Sequence, residues 1–135
     1  MLASLPLTAG VTLLIVALMF GTTYAVGKGR HTYGVEAPAV TGHPVFERLY
    51  RIQMNTLEWA VMTLPCLWIA AAYVHDGVAA ALGGVWLVGR ILYALGYARE
   101  ARRRAAGFLV GALAFGALGL LAGGGVLWSL RGGLW

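Results

Sequence analysis

The sequence predicts an all-α integral membrane protein, a bundle of four transmembrane helices in a single domain of 135 residues. Three observations predict it. The chain is 60% hydrophobic and only 11% charged, where soluble domains carry roughly 25% charged residues. Its apolar residues fall in long runs near the roughly 20 residues that cross a bilayer core of about 30 Å. Its basic residues gather at connections: Lys28, Arg30, Arg48 and Arg51 flank the first, and Arg99, Arg102, Arg103 and Arg104 the third.

The predicted spans cover about residues 5–27, 46–74, 78–101 and 106–130. Leu5 to Val26 holds no charge. It has no basic leader and exceeds the apolar run of about 7–15 residues in a signal peptide, so it reads as a span. Gly29 to Pro44 is a connection in which Pro38 and Pro44 discourage helix. The second helix is polar at first and apolar only from Trp59 to Val74, short of the roughly 20 residues a span takes. Part of its polar half must therefore enter the membrane shielded by protein. His75, Asp76 and Gly77 form a tight turn, which makes the second and third helices antiparallel neighbours. Ala101 to Gly107 closes the third helix with an arginine cluster. The fourth span carries Gly107 and Gly111, a GxxxG spacing for close helix approach, and Gly123 to Gly125 loosen its last turns. Trp68, Trp86, Trp128 and Trp135 read as interfacial or packing residues. With basic connections inside, those connections are cytoplasmic and the termini lie on the other side.

Other classes are excluded at this level. The net charge of +5 is accounted for by topology, so no nucleic-acid partner is expected. Cys66 is the single cysteine, which rules out an intramolecular disulfide and reads as a small buried hydrophobe. His31, His43 and His75 lack metal-ligand spacing, so no metal is expected.

The chemistry lies in two stripes. Arg48, Arg51, Asn55 and Glu58, spaced by three, four and three, share one narrow face of the second helix. Arg90, Tyr93, Tyr97 and Arg104, spaced by three, four and seven, share a face of the third. Counting outward from Asp76 sets Glu58 level with Tyr93 and Asn55 level with Tyr97, so the stripes meet. Arg51 and Arg104 can hold carboxylates and Glu58 an ammonium group. Asn55 and Gln53 can read an amide, and the tyrosines offer a hydroxyl at the edge of an apolar body. The set suits a small zwitterionic peptide with several carboxylates, and an arginine beside a bound thiol would favour its thiolate. The same residues also fit structural ion pairs, or a small four-span transporter using Glu58 as its coupling carboxylate.

ERLYRIQMNTLEW (Glu47 to Trp59) followed by GRILYALGYAR (Gly89 to Arg99) resembles the paired signature of the MAPEG family, membrane-associated proteins in eicosanoid and glutathione metabolism. Within it, the chain is most similar to the branch of microsomal glutathione transferases and leukotriene-C synthase. The resemblance implies a homotrimer with glutathione, the co-substrate, bound between subunits near the cytoplasmic face. It casts Arg30, Arg51, Gln53, Asn55, Glu58, Tyr93 and Tyr97 as glutathione-binding residues and Arg104 as the arginine that activates the thiol. The implied activity is a glutathione transferase or peroxidase acting on apolar electrophiles or lipid hydroperoxides delivered by the membrane. The family also includes members that bind lipid without catalysis. One departure stands out: Trp59 replaces the tyrosine of the leukotriene-synthase branch.

Overall fold

The computed structural model describes residues 4–132. Four helices follow one another: α1 (Pro6–Tyr33), α2 (Pro44–Tyr73), α3 (Asp76–Arg99) and α4 (Ala105–Leu130), with a 3₁₀ turn, Ala101–Arg104, between the last two. All four are long and apolar enough to cross a membrane.

The helix ends differ from the sequence expectation for local reasons. α1 continues past residue 27 and stops at Gly34, whose left-handed φ of 67° lets its N–H bond back to the Arg30 carbonyl. Pro38 lies beyond that stop and has no bearing on it. Pro44 starts α2 instead of opposing it, because a residue at the first helical position needs no N–H donor. His43 Nδ1 accepts from the Val45 N–H at 3.2 Å and caps that start. His75 does the same for α3, accepting from the Gly77 N–H at 3.0 Å. The helix therefore begins at Asp76, and the expected three-residue turn shrinks to a link of Val74 and His75. At its far end α3 does not run through the arginine cluster: Glu100 is extended (φ −156°, ψ 135°) and breaks it. Nor do Gly123 to Gly125 loosen α4, which is helical to Leu130. A methyl on Gly125 would lie 2.8 Å from Val74 Cγ2, so this glycine lets α4 rest on the end of α2.

Side chains fix how the helices run. Asp76 accepts from the Leu7 and Thr8 N–H groups at 3.1 and 2.9 Å, so the start of α3 caps the start of α1. Trp68 Nε1 donates to Thr12 and Gln53 Nε2 to Thr23, both at 3.1 Å, which places α1 antiparallel to α2. α4 lies against α3 through glycine: a Cβ on Gly89 would come within 2.6 Å of the Gly111 nitrogen, and one on Gly107 would collide with the Tyr93 backbone. The GxxxG of α4 is thus a seam on its own neighbour. Between the helices Ile15, Ala60, Leu67, Trp86, Ala114 and Leu118 form the core. Trp86 is fully buried there, Trp128 is half exposed, and Trp135 lies outside the described residues. This arrangement brings the start of α2, the end of α3 and the start of α4 to one end of the bundle.

Candidate functional site

At that end a cavity of about 420 Å³ is lined by Arg51 and Asn55 from α2, Tyr93 and Tyr97 from α3, Arg104 from the 3₁₀ turn, and Ala105 and Phe108 from α4. Five of the residues singled out from spacing meet here. Each is placed by its helix: Arg51 and Asn55 are one turn apart on α2, as are Tyr93 and Tyr97 on α3. The tyrosine rings are tilted against each other at 5.6 Å and are nearly buried, packed with Ile52.

Arg90, which its spacing sets in the α3 stripe, does not itself line the cavity. It sits at the back of this cluster, 1% exposed. Its Nη2 donates to Asn55 Oδ1 at 2.9 Å and to Thr56 Oγ1 at 3.0 Å, and its guanidinium lies 4.0 Å from the Tyr93 ring centroid. Asn55 is therefore held by Arg90 while lining the same cavity as Tyr97. Arginine only donates hydrogen bonds, so the Asn55 carbonyl oxygen must face Arg90. The amide is left to present its N–H groups elsewhere. The available signal was that Arg90 is the one charged residue in the interior of α3.

Arg104 reaches the cavity by a different route from the continuous helix expected. Behind the break at Glu100, Arg102 and Arg103 turn back to that carboxylate at 3.1 and 3.2 Å. Arg104 lies with its guanidinium 5.0 Å from the Tyr97 ring centroid. These two pairs with Glu100 are the only ion pairs among the described residues. Arg51 and Glu58 are not paired with each other.

Other expected site residues lie apart. Glu58 is exposed and does not line the cavity. Gln53 faces α1 through its bond to Thr23. Arg30 bonds the carbonyls of Val35 and Ala39 at 3.3 and 2.6 Å and lies 4.9 Å over the Phe46 ring, holding the first connection. Arg48 donates to the Ala98 carbonyl at 3.4 Å, near the end of α3. Trp59 packs edge-on against Phe108 and Phe115, at 5.5 and 5.3 Å, so it backs the apolar wall of the cavity. Phe108 and Ala105 had no sequence signal beyond following Arg104 by a turn or less. Among the described residues no group of three His, Cys, Asp or Glu could hold a metal ion.

The arrangement is a pocket with two arginines, an amide, two phenols and one apolar wall, a set whose donors and cations suit an anion chemically. Comparison with known proteins shows the family. The MAPEG family model matches residues 8–124. The chain is 46% identical over 125 residues to an uncharacterized Synechocystis sp. protein, covering 93% of this chain and 88% of that one. It is 42% identical over 122 residues to leukotriene C4 synthase of Bos taurus, covering 86% and 81% of the two chains. With microsomal glutathione S-transferase 2 of Homo sapiens it shares 44% identity over 96 residues, 71% of this chain and 63% of that one. From its paired motifs, four span-capable helices and these matches, the protein is an integral membrane protein that belongs to the MAPEG family.

Proposed function

We propose that the protein is a membrane-bound glutathione transferase that binds glutathione as its thiolate and adds the sulfur to apolar electrophiles. The observation that carries this is the gathering of Arg51, Asn55, Tyr93, Tyr97 and Arg104 around one cavity with an apolar wall. Glutathione carries two carboxylates, an ammonium group and two amides. Arg51 meets a carboxylate in charge-assisted hydrogen bonds, and the Asn55 amide donates to a carbonyl or carboxylate oxygen. Tyr93 and Tyr97 close the pocket beneath the thiol, and Arg104 is the cation beside it. A free thiol titrates near about 8.5, and a neighbouring guanidinium lowers that value and raises the thiolate fraction at neutral pH. The electrophile arrives from the bilayer along Phe108. With a lipid hydroperoxide the same thiolate attacks the peroxide oxygen, and the O–O bond breaks to release the lipid alcohol. A second glutathione reduces the resulting sulfenic acid to glutathione disulfide and water.

The complete site belongs to a homotrimer in this reading. Arg51 and Glu58 are exposed on helices that span the membrane, where a charge costs about 2.5–3.5 kcal/mol on insertion scales. A second copy covering this face removes that exposure and brings Glu58 to the ligand's ammonium group, with Gln53 and Arg30 contributed by the adjoining subunit. The basic connections, and with them the cavity mouth, face the cytoplasm.

The test is the thiolate absorbance that develops when glutathione is added to the purified protein. Wild type gives the band near neutral pH and Arg104→Ala gives it only at higher pH, with kcat/KM reduced about 10²–10³-fold, as for other lost charge-stabilising donors. Equal bands from the two proteins would remove the role of Arg104. Glutathione binding without turnover across a panel of electrophiles would leave a lipid-binding member of the family instead.

A further inference from the structure

A buried cation without a counter-ion stands behind the cavity. Arg90 is 1% exposed, in the middle of a span, and no carboxylate pairs with it among the described residues. Its partners are the Asn55 carbonyl oxygen, the Thr56 hydroxyl and the face of Tyr93. Nε is buried and bonds to nothing. Removing a charge from water is unfavourable unless its surroundings recover the loss, and two neutral acceptors and a ring recover it incompletely. A purely structural arginine would be expected to meet a carboxylate here. Instead, two of its three partners, Asn55 and Tyr93, line the cavity.

We propose that Arg90 is a positioning residue for the ligand site: it locks the Asn55 amide with its N–H groups toward the cavity and braces the Tyr93 ring. The inference rests on the glutathione reading for its ligand, but the lock itself is a property of the free protein. An asparagine amide without such a partner can turn over and present either its oxygen or its nitrogen to the cavity. With Arg90 on the oxygen, only the donor orientation is left. The site therefore selects an acceptor, a carboxylate or an amide carbonyl, at this point. The uncompensated charge behind Asn55 adds to that preference, because the low dielectric around a membrane helix screens it weakly. Arg90 thus acts on binding through Asn55, while Arg104 acts on the thiol directly.

Asn55 is the only asparagine in the chain, so protein labelled with ¹⁵N-asparagine gives one side-chain amide signal pair, read by NMR without ligand. Arg90→Met is expected to shift and broaden that pair. It is expected to raise the KM for glutathione about tenfold, with kcat for a chlorodinitrobenzene electrophile changed less than about twofold. Asn55→Ala gives the same rise, and the double variant rises no further, because the two residues act as one unit. Arg90→Lys keeps the charge and loses the planar fork, and falls between wild type and Arg90→Met on both readouts; it decides the matter if Arg90→Met does not fold. An unchanged amide signal, or additive KM effects in the double variant, overturns the proposal. If wild type shows no glutathione turnover but its amide signal responds to Arg90→Met or Arg90→Lys, the glutathione reading fails and the Asn55 lock stands.

Discussion

The two ends of this bundle use polar residues in opposite ways. At the hairpin end, Asp76 and His75 are both committed to backbone N–H groups, those of Leu7 and Thr8 for the carboxylate and that of Gly77 for the imidazole. The end is sealed by its own chain. At the arginine end, Arg51 and Arg104 form no ion pair among the described residues, and with two tyrosines they line an open cavity. Charged residues at a bilayer boundary can close a fold or leave it ready for a ligand. Which they do depends on whether orphaned helix-terminal groups lie within reach.

This contrast can be broken by separating stability from binding. The largest effect is expected at the open end. Arg51→Ala removes a charge-assisted contact worth about 1.5–3 kcal/mol, so glutathione KM rises tenfold or more, while the melting temperature in detergent stays as in wild type. A matching loss of thermal stability would mean that Arg51 braces the fold. Asp76→Ala should do the reverse and lower the melting temperature by a few degrees, since two N–H groups at the start of α1 lose their acceptor. Its KM for glutathione should not change, and titration of initial rates would reveal any coupling between the ends. The smallest effect is that of Glu100→Gln. Its pairs with Arg102 and Arg103 are exposed and worth about 0–1 kcal/mol, so any change should fade with added salt, checked by melting curves at low and high ionic strength.

Much of the architecture was legible because hydropathy and helical spacing are properties of single segments. The four spans, the hairpin and the meeting of Arg51, Asn55, Tyr93 and Tyr97 required only periods of 3.6 and a short link. What escaped depended on contacts between segments. The extra turns of α1 from Lys28 to Tyr33 are polar, and their stop is a left-handed glycine that composition does not mark. The start of α3 is one such case: His75 reads as part of a turn, and only its bond from the Gly77 N–H makes it the cap of a helix that begins at Asp76. Arg90 stood in plain view on the right face, yet only the bond to Asn55 distinguishes it from a stray buried charge. Glu58 shared the stripe and still misses the cavity, since a common helix face does not guarantee a common depth.

The break at Glu100 carries one more consequence. In a 3₁₀ turn successive side chains leave the backbone about 120° apart, and of three chemically identical arginines Arg102 and Arg103 fold back on Glu100 while Arg104 turns to Tyr97. Which of them reaches Tyr97 is decided by counting from the break, much as a reading frame assigns meaning to a run of identical letters. The length of this short link, more than the composition of its triplet, determines which guanidinium stands in the cavity.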